Sequence, residues 1–313
     1  MLPPFAEHLD ADKIHVQAPV NVIFICGGKT SAVNEPVPIS IRDAFLKIRD
    51  NPALKNRRFV QAEDINPFYL SRAAYSDFLK FEVDLAQITE LIVLFCESSG
   101  SFVELGAFSM LPEIAERLLV VLRDSHYSRD SFVRLGPVLS LQNTYGDTVV
   151  CVIEDEHVNM INDRVSEINL DNLRDSLTSP ITNRIDQIRE PTTFDSSRSG
   201  HIIKLIVGLI QEYGALTSLE IEEVLISANV LLNQQQIQSY LLCAEALEWI
   251  KQDKKGIRTF YFSLPIKDAA TLSLLDTAPV RQKVRRRQGI RDYWRENDPT
   301  RYRGIVQWMG GAS

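Results

Sequence analysis

The run Leu91-Ile-Val-Leu-Phe-Cys96 constrains the fold more than any other part of the chain. Unbroken apolar character predicts a strand buried on both faces, and such a strand needs a sheet covered by helices on both sides. The small residues Ser98, Ser99, Gly100 and Ser101 follow as a turn. A helix is expected to open there, with Glu104 in its first turn beside Gly106 and Ala107. In a parallel α/β sheet, ligands bind at the carboxyl ends of strands, where helix N-termini offer free N–H groups. A first-turn carboxylate is expected to be held ionised by the helix dipole. Glu104 is therefore a candidate nucleophile; the plainer alternative is a glutamate that only stabilises its helix.

Four more short strands are predicted beside this one. Val22-Ile-Phe-Ile-Cys26 ends in Gly27-Gly28, a turn that lets a ligand approach the backbone. Arg58-Phe-Val-Gln-Ala62 leads to Glu63-Asp64, and Leu118–Leu122 and Val149–Ile153 complete the set. Helical spacing is predicted for residues 40–50 and for Ala73 to Gln87, whose face holds Tyr75, Phe78, Leu79, Val83 and Ala86. Strands alternating with helices predict an α/β fold with a doubly wound, mostly parallel sheet over residues 1–153.

Residues 154–195 read as a connector, with a helix near 157–177 and breaks at Pro180 and Pro191. A second domain is expected over 196–265. His201 to Tyr213 predicts a helix ending at Gly214, Thr217-Ser-Leu-Glu220 a capping box, and Asn233 to Glu248 a third helix. A hairpin follows, from Trp249 to Ser263. Three helices and a hairpin give winged-helix order. The third helix carries Asn233, Gln234, Gln235, Gln236 and Gln238 but no cation, so partner docking is favoured over base reading.

The net charge of −7 is unevenly distributed. Residues 281–303 hold nine basic groups against three acidic ones. Within this basic tail, taken as 266–313, Arg281, Lys283, Arg285, Arg286 and Arg287 are candidate contacts to nucleic-acid phosphates or to a partner. Tyr293, Trp294, Tyr302 and Trp308 either stack on bases or pack the tail onto its own domain. Arg129 and Arg134 are candidate phosphate neutralisers, and His126 and Tyr127 are candidate pocket residues. The four cysteines form no Cys-x-x-Cys pair, the five histidines show no ligand spacing, and no apolar run reaches membrane length. No metal, no cofactor and no membrane contact are expected, and the absence of a leader pattern predicts a cytoplasmic protein.

Gly100-Ser-Phe-Val-Glu-Leu-Gly106 and Phe81-Glu-Val-Asp84-Leu-Ala-Gln-Ile88, with the Gly27-Gly28 turn, resemble the nucleoside 2-deoxyribosyltransferase family over residues 20–150. The resemblance implies that Glu104 attacks an anomeric carbon and that Asp84 assists departure of the base. It also implies substrate contacts from Gly27, Gly28, Ser98, Ser99, Gly100 and Ser101. Adding Ala62-Glu-Asp-Ile65 and Ser131-Phe-Val-Arg-Leu-Gly-Pro-Val138, the chain is more closely similar to the deoxyribosyltransferase-like effectors of bacterial retrons. Membership would imply a toxin held silent by a reverse transcriptase and its branched DNA–RNA product (msDNA), with homo-oligomers or higher assemblies as an option. One departure matters. Transferases of the family usually carry an aspartate six residues before the nucleophile, and this chain has Ser98.

The expected activity is therefore N-glycosidase cleavage of a nucleotide. NAD+ is the favoured substrate, because nicotinamide leaves as a neutral molecule and needs least acid assistance. Base exchange on deoxynucleosides, and a non-catalytic nucleotide-sensing DNA-binding regulator, stand as the alternatives.

Overall fold

A computed structural model describes residues 2–19, 21–32, 34–51, 54–61, 63, 75, 78–128, 130–160, 164–187 and 189–309. The chain divides into two compact units, each assembled from separate stretches of sequence. One comprises Val20–Asp64 and Thr89–Ile188; the other comprises Met1–Pro19, Ile65–Ile88 and Arg189–Ser313.

The first unit is built on five strands, β1 (Val22–Cys26), β2 (Arg58–Gln61), β3 (Leu91–Phe95), β4 (Leu118–Arg123) and β5 (Val150–Ile153). All pair in parallel, in the order β2-β1-β3-β4-β5. The expected mostly parallel α/β sheet is present. Every residue of β1 and β3 is buried, as their unbroken apolar runs require. Helices α1 (Ile41–Lys47), α2 (Ser99–Ser109) and α3 (Leu170–Ile185) belong to the same unit. On one sheet face, Ile23, Ile25, Val93, Phe95, Leu119 and Val121 form a core with Ile41 and Phe45 of α1 and Leu173, Leu177 and Ile181 of α3. Burial of each such leucine or isoleucine stabilises by about 1.5–3 kcal/mol. Strand order reverses between β1 and β3, and a crevice opens beyond the carboxyl ends of strands at such a point.

The helix near 157–177 with a break at Pro180 is corrected. The helix is α3, and Pro180 lies inside it. A proline there lacks the N–H that would bond the carbonyl four residues back, which belongs to Ser176. The Cys151 thiol of β5 donates to that carbonyl at 3.7 Å, and the Leu173–Leu177–Ile181 stripe holds both flanks of the proline in the core.

In the second unit, the helix expected from Ala73 is described from Phe78 to Ala86; residues 73, 74, 76 and 77 lie outside the described residues. Three helices follow: α4 (Ser199–Tyr213), α5 (Ser218–Ser227) and α6 (Gln234–Ala246). Gly214 ends α4 at φ +80°, and Thr217 and Glu220 form the expected capping box of α5. Asn233 and Gln236 cap α6 in the same way. Strands β6 (Ala215–Leu216), β7 (Ile250–Lys255) and β8 (Arg258–Ser263) form an antiparallel sheet in the order β6-β8-β7. The basic segment folds into α7 (Lys283–Asn297) and α8 (Pro299–Met309). Among the described residues, no helix is long and apolar enough to cross a membrane.

Candidate active site

At the end of β1 the backbone turns at Gly27, whose φ is +127°. A Cβ on Gly27 would lie 2.3 Å from the Phe95 carbonyl oxygen, and one on Gly28 would lie 2.3 Å from the Glu97 carboxylate. Only glycine lets the exit of β1 pass this close to the exit of β3.

Glu97, just beyond β3, accepts the backbone N–H of Ile41 at 2.7 Å and of Arg42 at 3.0 Å. These are orphan donors of the first turn of α1, so the carboxylate caps that helix. Burial pushes the Glu97 carboxyl above its usual range, although both N–H groups pull the other way. Ser40 is the helix N-cap and its hydroxyl donates to the Lys29 carbonyl. Asp43 accepts from the Ser31 and Ile39 backbone N–H groups, the Ser31 hydroxyl and Lys47. This tethers the segment between β1 and α1 to the helix.

Arg42 is the hub of the edge. Its side chain is 2% exposed, and its guanidinium donates to both oxygens of Glu63 at 2.7 Å each. It donates further to Gln61 at 3.0 Å and to the Gly28 carbonyl at 3.1 Å. The guanidinium thereby joins the exits of β1 and β2. Sequence reasoning passed over Arg42, Glu63 and Glu97 as site residues, because a lone arginine in a short helix carries no signal of burial.

The small-residue run after β3 is itself the start of α2. Ser98 is the N-cap, and Ser98 and Ser101 form a reciprocal capping box. Ser101 is buried; its hydroxyl donates to the Ser98 carbonyl and accepts from the N–H groups of Glu97 and Ser98. Ser99 and Gly100 are exposed at the first turn. This corrects the expected place of Glu104: it stands in the second turn of α2, out of reach of the terminal dipole. The expected hold of the helix dipole on this carboxylate falls with it. Burial pushes the carboxyl up to about 7, against the nearby positive charge of Arg42 and with the negative charge of Glu63. Oε2 of Glu104 is buried and has no hydrogen-bond partner among the described residues. A group poised near neutrality, with one unpaired oxygen, suits a nucleophile or a general acid–base.

Asp84 belongs to the second unit, is fully buried, and accepts from Tyr75, Lys80 and Ser199. Tyr127 lies beneath the Arg134 guanidinium at 4.4 Å, and Nδ1 of His126 is buried without a partner among the described residues. Arg134 begins a π-helical stretch that runs to Val138 and contains Pro137. Arg129 lies outside the described residues, as do Ala62, Asp64 and Ile65 of the Ala62–Ile65 motif.

The basic tail is largely neutralised within its own unit. Arg286 and Arg287 both pair with Glu212, Arg287 and Lys283 with Asp268, and Arg281 with Asp276. Arg285 is exposed and makes no ion pair among the described residues. Trp294 is buried and donates to the Tyr213 carbonyl, while buried Arg301 stacks on it at 3.8 Å. For Trp294, packing onto its own unit is the alternative that holds.

The chain belongs to the family described as STM3845 retron effector protein, which matches residues 38–252. It is similar to two Escherichia coli proteins, of retrons Ec73 and Ec86, each provisionally named a ribosyltransferase/DNA-binding protein. The Ec73 relative is 28% identical over 135 residues, 42% of either chain. The Ec86 relative is 34% identical over 88 residues, 28% of this chain and 29% of the relative. The matched stretches thus span less than half of either relative's length.

Proposed function

We propose that this retron effector is an N-glycosidase whose sheet unit cleaves the base–ribose bond of a nucleotide, with NAD+ as the preferred substrate. The observation that carries the reading is Glu104: a half-buried carboxyl titrating near neutrality, with an unpaired oxygen, electrostatically coupled to the Arg42–Glu63 pair. The names of the relatives, which speak of ribosyl transfer, support the same class of bond.

Ionised Glu104 attacks the anomeric carbon. A C1′–O bond forms as the C1′–N bond breaks, and its electron pair neutralises the pyridinium nitrogen of the departing nicotinamide. Water then hydrolyses the glycosyl ester and restores the carboxylate, the two-step logic of a retaining glycosidase. Ser98, in place of the family's usual aspartate, removes one acid and favours a leaving group that needs no proton. The exposed first turn of α2 at Ser99 and Gly100 supplies the backbone approach for the substrate, while Gly27 and Gly28 let the exit of β1 pack against that of β3. The partners of Asp84 within its own unit support a structural part for it rather than assistance to the base.

The succession α4–α5–α6 and then the β7–β8 hairpin supports a winged-helix-like module over residues 196–265. In this reading the module and the exposed cations of 266–313 bind the reverse transcriptase and its DNA–RNA product, which keep the effector silent. The test is chromatography of the purified chain with NAD+, and separately with deoxyinosine plus adenine. Release of nicotinamide is expected; efficient base exchange with NAD+ left intact would restore the transferase reading.

A further inference from the structure

Glu63 stands two residues beyond β2, the strand beside the β1/β3 switch point. Its side chain is 54% exposed, whereas the Arg42 side chain that grips it is 2% exposed. Both carboxylate oxygens are held from the protein side by guanidinium N–H groups at 2.7 Å. The backbone N–H of Glu63 also bonds this carboxylate, and the side chain is otherwise about half open to solvent. Arg42 is fixed in turn by Gln61 and the Gly28 carbonyl, and its backbone N–H by Glu97. This is an acceptor set rigidly in place before any ligand arrives, which reduces the ordering cost of binding. Burial would raise the Glu63 carboxyl, but the bond and charge of Arg42 more than offset it, so it remains an acceptor at neutral pH.

A structural ion pair explains the bond to Arg42 but not its setting. Glu63 is close enough to Glu104 for its charge to raise that carboxyl. Two carboxylates thus stand at one sheet edge, one half open to solvent and one with an unpaired oxygen. In doubly wound nucleotide-binding sheets, an acidic residue at the end of the second strand accepts the ribose 2′-hydroxyl.

We infer that Glu63, locked by Arg42, binds the vicinal diol of the sugar whose anomeric carbon faces Glu104, so that the site selects ribonucleotides over 2′-deoxyribonucleotides. This rests on the glycosidase reading and narrows its substrate class. A site built to bond a hydroxyl discriminates strongly against an analogue that lacks it.

The test uses the full chain carrying Glu104→Gln, so that bound ligand is not turned over. Calorimetry would compare NAD+ with its analogue lacking the 2′-hydroxyl on the nicotinamide ribose. NAD+ is expected to bind at least about tenfold more tightly. Adding Glu63→Gln should weaken NAD+ and leave the analogue nearly unchanged, bringing the two affinities within about twofold of each other. An unchanged ratio would overturn the inference. So would a parallel loss of both affinities, which marks a merely structural pair, and so would the absence of binding by either ligand. Turnover by the chain with Glu104 intact keeps the two readings apart. A collapsed ratio without nicotinamide release would sink the glycosidase reading and leave the diol contact standing; release with an unchanged ratio would do the opposite.

Discussion

The Glu97 carboxylate caps the helix that carries Arg42, accepting the Arg42 backbone N–H at 3.0 Å and that of Ile41 at 2.7 Å. One acid at the exit of β3 thereby fixes α1, α1 fixes the guanidinium, and the guanidinium fixes Glu63. Glu97→Ala is expected to destabilise the protein by about 2–4 kcal/mol, since two charge-assisted bonds are lost at a partly buried helix end. Urea unfolding followed by circular dichroism measures this. A change under about 0.5 kcal/mol would mean that water replaces the cap without loss.

Gly28 at this edge should differ sharply from Gly100. A methyl group on Gly28 meets the Glu97 carboxylate at 2.3 Å, and that carboxylate cannot swing away without releasing α1. Gly100 is exposed in the first turn of α2, with only the Ser98 hydroxyl within 4 Å of a built Cβ, at 3.8 Å. Gly28→Ala should therefore lower the melting temperature, while Gly100→Ala leaves it unchanged or raises it by the helix propensity of alanine, about 0.5–1 kcal/mol. Equal effects of the two substitutions would refute the close-approach account.

Glu104→Gln should stabilise the protein at neutral pH. The folded-state carboxyl titrates at about 7, above the ordinary 4.5, so its contribution is complete below pH 4.5 and is lost as pH rises through 7. Removing the charge above that window should gain about 1–3 kcal/mol, read as a melting temperature that exceeds the parent's at pH 8 and converges with it near pH 4. A variant less stable than the parent at pH 8 would show that the ionised carboxylate has a partner in the folded state.

The basic tail needs selective substitution. Glu212 is 3% exposed and faces both Arg286 and Arg287. Replacing those two arginines with Ser leaves a buried charge unpaired and should cost about 3–5 kcal/mol. Arg285→Ser touches no ion pair among the described residues and should leave stability within about 0.5 kcal/mol. If the tail meets nucleic-acid phosphates, Arg285→Ser should lower the salt dependence of that binding while the protein stays folded. An intact salt slope would place the phosphate contacts elsewhere.

The central strands were legible because a parallel sheet writes its burial as unbroken apolar runs, and β1 and β3 are buried at every residue. The cap at Thr217 was legible for a local reason, since the four residues from Thr217 to Glu220 suffice to build it. Pro180 misled because its rescue comes from a thiol on another element, Cys151. Glu104 was placed one turn too early because Ser98–Ser101 reads equally well as a turn or as a capped helix start. Arg42 and Glu63 were hidden for a deeper reason. Their pairing depends on which strand ends meet at the sheet edge, and residue spacing does not encode that.

The most direct measurement is a rapid-quench reaction of the purified chain with NAD+ labelled in the adenine ring, followed by peptide mapping of the protein. A burst of nicotinamide approaching one per chain is expected, with label in ester linkage on the peptide containing Glu104. Glu104→Gln should abolish both the burst and the label while remaining folded. Nicotinamide release by Glu104→Gln at a rate near the parent's, or label recovered on another residue, would contradict the assignment of Glu104 as nucleophile.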